Sequence, residues 1–322
     1  MRRPAASPSR PVLRSRGESV AALSSPRPYR GAGTTGDADF AAVRAFLLGL
    51  NSRDPVCSPE FLWARWEWAF CLPYLDRGHL DRIGVWEADG RVVALATHES
   101  ALGEAYLAVD PAHRAELLPD LVAHAERALA AEGTVAIPVG EDEPDLAALL
   151  AARGYEAMPW TEDMSVRTLE GVPAPRLPEG YRLSSLAEGV DLHRLNRCLH
   201  RGFGHPDPVP EDEETLRWRK ESVSAPSLVP ELNTIVVAPD GEYAAYCGIF
   251  LEPSAGLLMV EPVCTEPGHR RRGLARAAVQ ESLRRAAALG AHTAYVGSDL
   301  PLYRDLGFAA FHRSHWWRGR VG

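Results

Sequence analysis

Residues Glu261 to Ala288 read EPVCTEPGHRRRGLARAAVQESLRRAAA, and the rest of the chain makes sense as support for them. The stretch closes an apolar run, Leu257 to Cys264, broken only by Glu261 and Pro262, with the length and composition of a buried strand. A short turn, Thr265 to His269, leads into Arg270-Arg271-Arg272-Gly273-Leu274-Ala275. A helix follows: Leu274, Ala278, Leu283 and Ala287 recur at helical spacing, and Gly290 stops it. A strand that feeds through a basic, glycine-bearing loop into a helix start is an anion site. The first N–H groups of a helix lack partners inside it and together carry roughly half a positive charge. Gly273 has no Cβ to hold a phosphate off the backbone, and Ala275 is the next smallest choice. Arginines at a helix N-terminus oppose its dipole, so a bound negative group explains why they stand there.

The run Arg270-x-x-Gly273-x-Ala275 after a strand resembles the loop with which GNAT acyl-CoA N-acyltransferases hold the CoA pyrophosphate. The resemblance extends along the chain. Thr265-Glu266-Pro267-Gly268-His269-Arg270 looks like the family's strand exit, His292 to Gly297 like its next strand, and Leu302-Tyr303-Arg304-Asp305-Leu306-Gly307-Phe308 like its LYxxLGF segment.

The 322 residues suffice for two ordinary domains, and a 46% hydrophobic content suits a packed core. A net charge of −8 argues against general nucleic-acid binding. All but one of the 35 basic residues are arginine, Lys220 being the exception, which suggests a GC-rich and bacterial source. The five cysteines are scattered and show no metal-ligand spacing, which fits a reduced, cytoplasmic setting without a metal. No apolar run approaches the roughly 18 residues of a membrane span. Residues 1–25, rich in Arg, Pro and Ser, read as a disordered tail or a mistaken start site.

From there the pattern predicts a helix over 39–50, a second over about 59–70, a hairpin of 82–88 and 91–97, and a strand over 104–109. A helix over 117–131, a strand over 134–139 and a helix opened by Glu141 to Asp145 follow. Gly31 to Gly36 formally matches GxGxxG, but two helices follow it where a dinucleotide fold needs strand, helix and strand, so it reads as a loop. Phe61, Trp63, Trp66 and Phe70 form an aromatic stripe of the kind that builds cores. Residues 171–180, with Pro173, Pro175 and Pro178, read as a linker. Beyond it the order returns: a strand over 181–183, helices over 191–202 and after 210–214, and a hairpin of 233–238 and 242–251.

This is an internal repeat. Asp110-Pro111-Ala112-His113-Arg114 recurs as Glu266-Pro267-Gly268-His269-Arg270 at an offset of 156, Gly140 as Gly297 and Gly154-Tyr155 as Gly307-Phe308. The fold expected is therefore α/β: two tandem GNAT-like domains, 26–170 and 181–322, each a mixed, mostly antiparallel twisted sheet flanked by helices. At the same offset Gly273, Ala275 and Arg272 correspond to Leu117, Pro119 and Glu116, so the first half reads as a degenerate copy in which an acid stands where a phosphate would lie. Tyr303 corresponds to Leu150.

Moving an acyl group from a thioester to an amine requires the amine to be neutral, although its pKa is about 10, and the departing thiolate benefits from a proton. The resemblance implies acetyl-CoA as cosubstrate. CoA contacts then fall on Val263, Cys264, Thr265, Arg270, Arg271, Arg272, Gly273, Leu274 and Ala275, with a backbone N–H around Val263 to Thr265 polarising the thioester. It implies that Tyr303 is the general acid; a packing role is the alternative. Glu261, the carboxylate within the strand run, is the candidate base or water-positioner, against a structural contact beside Pro262. Many family members carry a glutamate two positions earlier, where this chain has Met259. His269 and His292 read as loop and strand-end residues, and Cys264 as a small buried residue. The second half is about four residues short before Tyr303, and no asparagine, a frequent CoA contact in the family, lies between Gly297 and Phe308. The function expected is N-acetyl transfer to a small-molecule or protein amine, with a non-catalytic acyl-CoA sensor as the alternative. No nucleic-acid or membrane partner is expected, and neither acceptor identity nor oligomeric state can be read from the sequence.

Overall fold

The computed structural model describes residues 25–321; the expected disordered tail lies, apart from Ser25, outside the described residues. After the two-residue strand β1 (Arg27–Pro28), Gly31 to Gly36 folds as a loop around Asp37, whose carboxylate accepts bonds from the Gly33 and Thr34 amides and the Tyr29 hydroxyl. Helix α1 (Ala38–Asn51) follows as expected. Helix α2 (Trp63–Cys71) starts four residues later than its pattern predicts. Its cap comes from outside: the Asn51 side chain accepts the Trp63 amide at 2.9 Å. The aromatic stripe is core, with Phe61, Trp63, Trp66 and Phe70 buried and the Trp66 and Phe70 rings 4.4 Å apart.

Strands β2 (Gly84–Ala88) and β3 (Arg91–Thr97) form the predicted hairpin. Asp89 and Gly90 at its tip both have positive φ, 51° and 73°, the twist that a tight antiparallel turn requires. Then come β4 (Tyr106–Val109), α3 (Arg114–His124) with a π-helical turn beyond it, β5 (Thr134–Gly140), α4 (Pro144–Ala152) and β6 (Glu156–Thr168). The second half repeats the order: β7 (Arg182–Ser185), α5 (Leu192–Gly202), α6 (Glu213–Glu221), β8 (Thr234–Val237), β9 (Tyr243–Glu252), β10 (Leu257–Thr265), α7 (Leu274–Ala288), β11 (Thr293–Val296), α8 (Pro301–Asp305) and β12 (Ala309–Arg320).

The strands lie in two sheets, in the orders β1-β2-β3-β4 and β5-β12-β6-β11-β10-β9-β8-β7. One isolated bridge, from Glu104 just ahead of β4 to Ala136 of β5, nearly joins the sheets. It is parallel, as is the β10–β11 pairing in the second half; the other ladders are antiparallel. The strands do not divide as one sheet per repeat. The last strand of the chain, β12, pairs with β5 of the first half, from Ser314↔Gly140 to Arg320↔Thr134. The last strand of the first half, β6, pairs with β11 of the second. Each half thus completes its sheet with the other's final strand, and β6 and β12 pair with one another along the middle.

Apolar packing follows the same pattern. One core, including Phe40, Trp66, Tyr246 and Phe250, spans both halves, while others lie against α7 and against α3 and α4. Polar bonds fasten α1 and α2 to the second half. The fully buried Glu67 carboxylate accepts the Ser227 amide and hydroxyl, both at 2.7 Å, and Arg44 joins Glu67 to Glu252.

Candidate active site

The site is built where β10 departs from a regular strand. Its register with β9 slips between Val260 and Val263, so Glu261 and Pro262 leave the ladder. Gly248 on β9 permits this, because a Cβ there would lie 2.3 Å from the Glu261 carbonyl oxygen. On its other edge β10 pairs with β11 only through Leu257, Leu258 and Met259. Beyond Met259 the two strands diverge, and Glu261, Pro262 and Val263 line a cavity of about 610 Å³ with Val296, Gly297, Ser298 and Tyr303. Helices α5 and α6 supply its far side through Asn196, Leu199, Thr215 and Trp218.

At the end of β10 a one-turn helix, Pro267–His269, is capped by the Glu266 carboxylate, and the His269 ring bonds the Tyr181 hydroxyl. Arg270 bridges the Thr265 and Gly202 carbonyls, so it ties the strand exit to the end of α5. Arg271 and Gly273 both have left-handed backbones, φ 64° and 76°, and Arg271, Arg272 and Gly273 are exposed. Gly273 caps α7 without a side-chain acceptor, which leaves the first N–H groups of α7, on Leu274 and Ala275, pointing out of the helix end. Cys264 does not face the fork; its thiol lies 3.9 Å from that of Cys198, under α5.

In the first half the equivalent loop is overwritten. Helix α3 begins at Arg114, and Leu117 is buried within it where Gly273 would stand. Arg114 is held by Glu143 and Asp145 at the start of α4. Leu150, the counterpart of Tyr303, is fully buried.

Two ionisable groups share the fork. Tyr303 is buried, its ring edge-on to Phe308 at 5.8 Å. Burial above all, with Cys247 and Glu261 nearby, raises its phenol, so it is protonated at neutral pH. Glu261 is pushed up to about 7, chiefly by burial; Arg65 opposes the rise and Glu99 and Glu162 add to it. A carboxyl in that position is divided between acid and base near neutrality.

Glu261 also faces a second cavity, of about 620 Å³, lined by Glu60, Arg65, Glu99, Glu162, Met259 and His312 among others. Trp68, Leu72, Tyr74, Gly297 and Ser298 border both. The first half thus supplies much of the wall of this second cavity. The stripe on α2 identifies its core face, and Arg65 and Trp68 lie between those positions on the same helix, which was the signal available in the sequence.

Residues 192–308 match the acetyltransferase (GNAT) family. The second half of the chain is similar, over that span, to a GNAT domain. Solved structures show that the whole chain shares the fold. A GCN5-related N-acetyltransferase from Sphaerobacter thermophilus superposes over 93% of this chain and 96% of its own, at 22% identity and a TM-score of 0.60. A tandem GNAT protein from the clavulanic acid biosynthesis pathway covers 94% and 99%, at 16% identity and a TM-score of 0.63. No curated protein matches the chain at a significant level. The chemistry typical of GNAT domains is acyl transfer. Among the described residues, no helix is long and apolar enough to cross a membrane.

Proposed function

We propose that the GNAT domain of the second half transfers an acetyl group from acetyl-CoA to a primary amine. The observation that carries this reading is the pairing of two features at the ends of one bulged strand: Glu261 and Tyr303 on a common cavity, and the open loop at the start of α7. In this reading the loop from Arg271 to Ala275 receives the CoA pyrophosphate through its amides and arginines. The pantetheine arm runs through the gap between β10 and β11, and a backbone N–H between Val263 and Thr265 polarises the thioester carbonyl.

Glu261, as carboxylate, takes a proton from the incoming ammonium. The neutral nitrogen attacks the thioester carbon, the C–S bond breaks, and Tyr303 gives its proton to the sulfur. Proton return from Glu261 to the phenolate restores both groups, and the nitrogen's second proton leaves to solvent, so the products are the amide, the CoA thiol and one released proton. The first half, with its loop absorbed into α3 and an acid at Glu116, is proposed to bind no CoA, so one chain should take up one. Calorimetric titration giving two equivalent sites would overturn that asymmetry. Thiol release from acetyl-CoA across a panel of amines tests the reaction itself: turnover with some acceptor supports transfer, and CoA binding without turnover on any of them favours a sensor.

A further inference from the structure

The second cavity carries more carboxylates than its cations can satisfy. Arg65 is tied to Glu99 and Glu162, and its other bonds go to the Tyr106 hydroxyl at 2.6 Å and the Glu60 backbone carbonyl at 3.0 Å, not to the Glu60 carboxyl. Asp163 is held by Arg313, outside the cavity. Asp299 pairs with Arg304. Glu60 and Glu261 are left without a bonded cation. Glu60 is the more telling of the two. Its side chain is 4% exposed, that of His312 is 7% exposed, and they face each other at 3.7 Å. Both Oε2 of Glu60 and Nε2 of His312 are buried without a hydrogen-bond partner. Orphaned buried polar atoms are costly, and a pair on one cavity wall marks a place where a ligand completes the bonding.

The orphaned pair calls for a donor with several protons. Burial raises Glu60 well above the ordinary carboxylate range, and an ammonium beside it would draw it back down, so that its Oε2 and the acceptor nitrogen of a neutral imidazole are met together by the ammonium's N–H groups. Burial holds His312 neutral, in spite of Asp142, Glu143 and Glu141 nearby. Among the described residues no group of His, Cys, Asp and Glu side chains converges as metal ligands would. A cavity of about 620 Å³ far exceeds one ammonium, and Trp68, Leu72, Met164 and Met259 on its walls suit methylene groups. Glu261, the proposed base, stands where this cavity meets the one under Tyr303.

We propose that the acceptor is a diamine or polyamine, whose reacting nitrogen lies at Glu261 and whose distal ammonium is held by Glu60 and His312 in the cavity that the two halves build together. This rests on the acetyl-transfer reading for its chemistry, but the site is assigned by the cavity alone. It also gives the first half a function, since Glu60 and Arg65 belong to it.

The test uses the full chain with three probes, spermidine, 1,4-diaminobutane and 1-butylamine. At saturating acetyl-CoA the KM for spermidine and for 1,4-diaminobutane should lie about tenfold or more below that for butylamine, the effect of one good charge-assisted bond. Glu60→Gln and, separately, His312→Gln should each reduce that ratio towards one. Equal constants for diamines and butylamine, or a ratio indifferent to both substitutions, would overturn the assignment while leaving acetyl transfer intact. If no amine releases thiol, the acetyl-transfer reading fails by itself. Calorimetry of spermidine against the CoA-loaded protein then decides the cavity: binding weakened about tenfold by Glu60→Gln or His312→Gln supports it, and absence of binding removes it.

Discussion

Replacing Glu261 with glutamine should make the protein both slower and more stable. Burial lifts the carboxyl from its ordinary 4.5 to about 7. Between those two values the unfolded chain has released its proton and the folded one has kept it. The unfolded state then binds fewer protons, so stability falls as pH rises from 4.5 to 7 and is flat above. Holding the charge inside therefore costs about 3 kcal/mol at pH 8, at roughly 1.4 kcal/mol for each tenfold difference in proton affinity. Glu261→Gln keeps the shape and removes the charge. With an unfolding entropy of about 2.1 cal/mol/K per residue over the chain, the gain corresponds to a Tm higher by about 5 °C at pH 8. At pH 4.5 the two proteins should melt together. Turnover behaves oppositely. The base is competent only when ionised, so kcat/KM of the wild type should rise with pH and level off above about 7. The variant should lose about a hundredfold or more and show no such step. Scanning calorimetry at the two pH values and a pH–rate profile measure both effects. A variant that melts no higher at pH 8 would show that Glu261 is not held at a cost. Unchanged turnover would remove it from the chemistry.

Tyr303→Phe keeps the ring against Phe308; we expect turnover to drop about a hundredfold with little change in CoA affinity or Tm, whereas a lower Tm with normal turnover would mark the residue as packing. Gly273→Val meets no neighbouring atom but places a branched residue at φ 76°, which costs about 1–2 kcal/mol locally. CoA affinity by calorimetry should fall about tenfold or more while far-UV dichroism is kept, and undiminished affinity would place the anion site elsewhere. Ending the chain after Phe308 removes β12, so amides of both β5 and β6 should lose protection from hydrogen exchange; if only those of the second half do, the strand exchange is wrong.

Much of the architecture was legible because local signals agreed with one another. The Asp89-Gly90 turn, the repeat of the Pro-x-His-Arg strand exit and the stop at Gly290 each name an element without reference to the rest. What escaped notice was set from far away. Strands β6 and β12 lie in the middle of the sheet, yet their side chains are largely exposed or half-buried, with Pro159 in one and Arg313, Arg318 and Arg320 in the other. They show no clean alternation, and their pairing is fixed by partners about 150 residues away. The start of α2 escaped for the same reason, since its cap belongs to α1. At the site, the basic loop and the apolar strand before it announced themselves, but the bulge at Glu261 and the orphaned Glu60 and His312 did not. Nothing about either residue is unusual until the exchange of strands brings β12 beside the first half.

The exchange also fixes when the protein can finish folding. The partners of β5 lie about 180 residues further along the chain. At a synthesis rate of roughly 5–20 residues per second, the Val135 to Val139 edge leaves the ribosome on the order of 10 to 40 s before β12 exists. An apolar strand edge open for that long invites pairing with a neighbouring nascent chain. The first half therefore cannot be completed as an early folding unit, and the strand that completes it arrives only after the rest of the second half has been made.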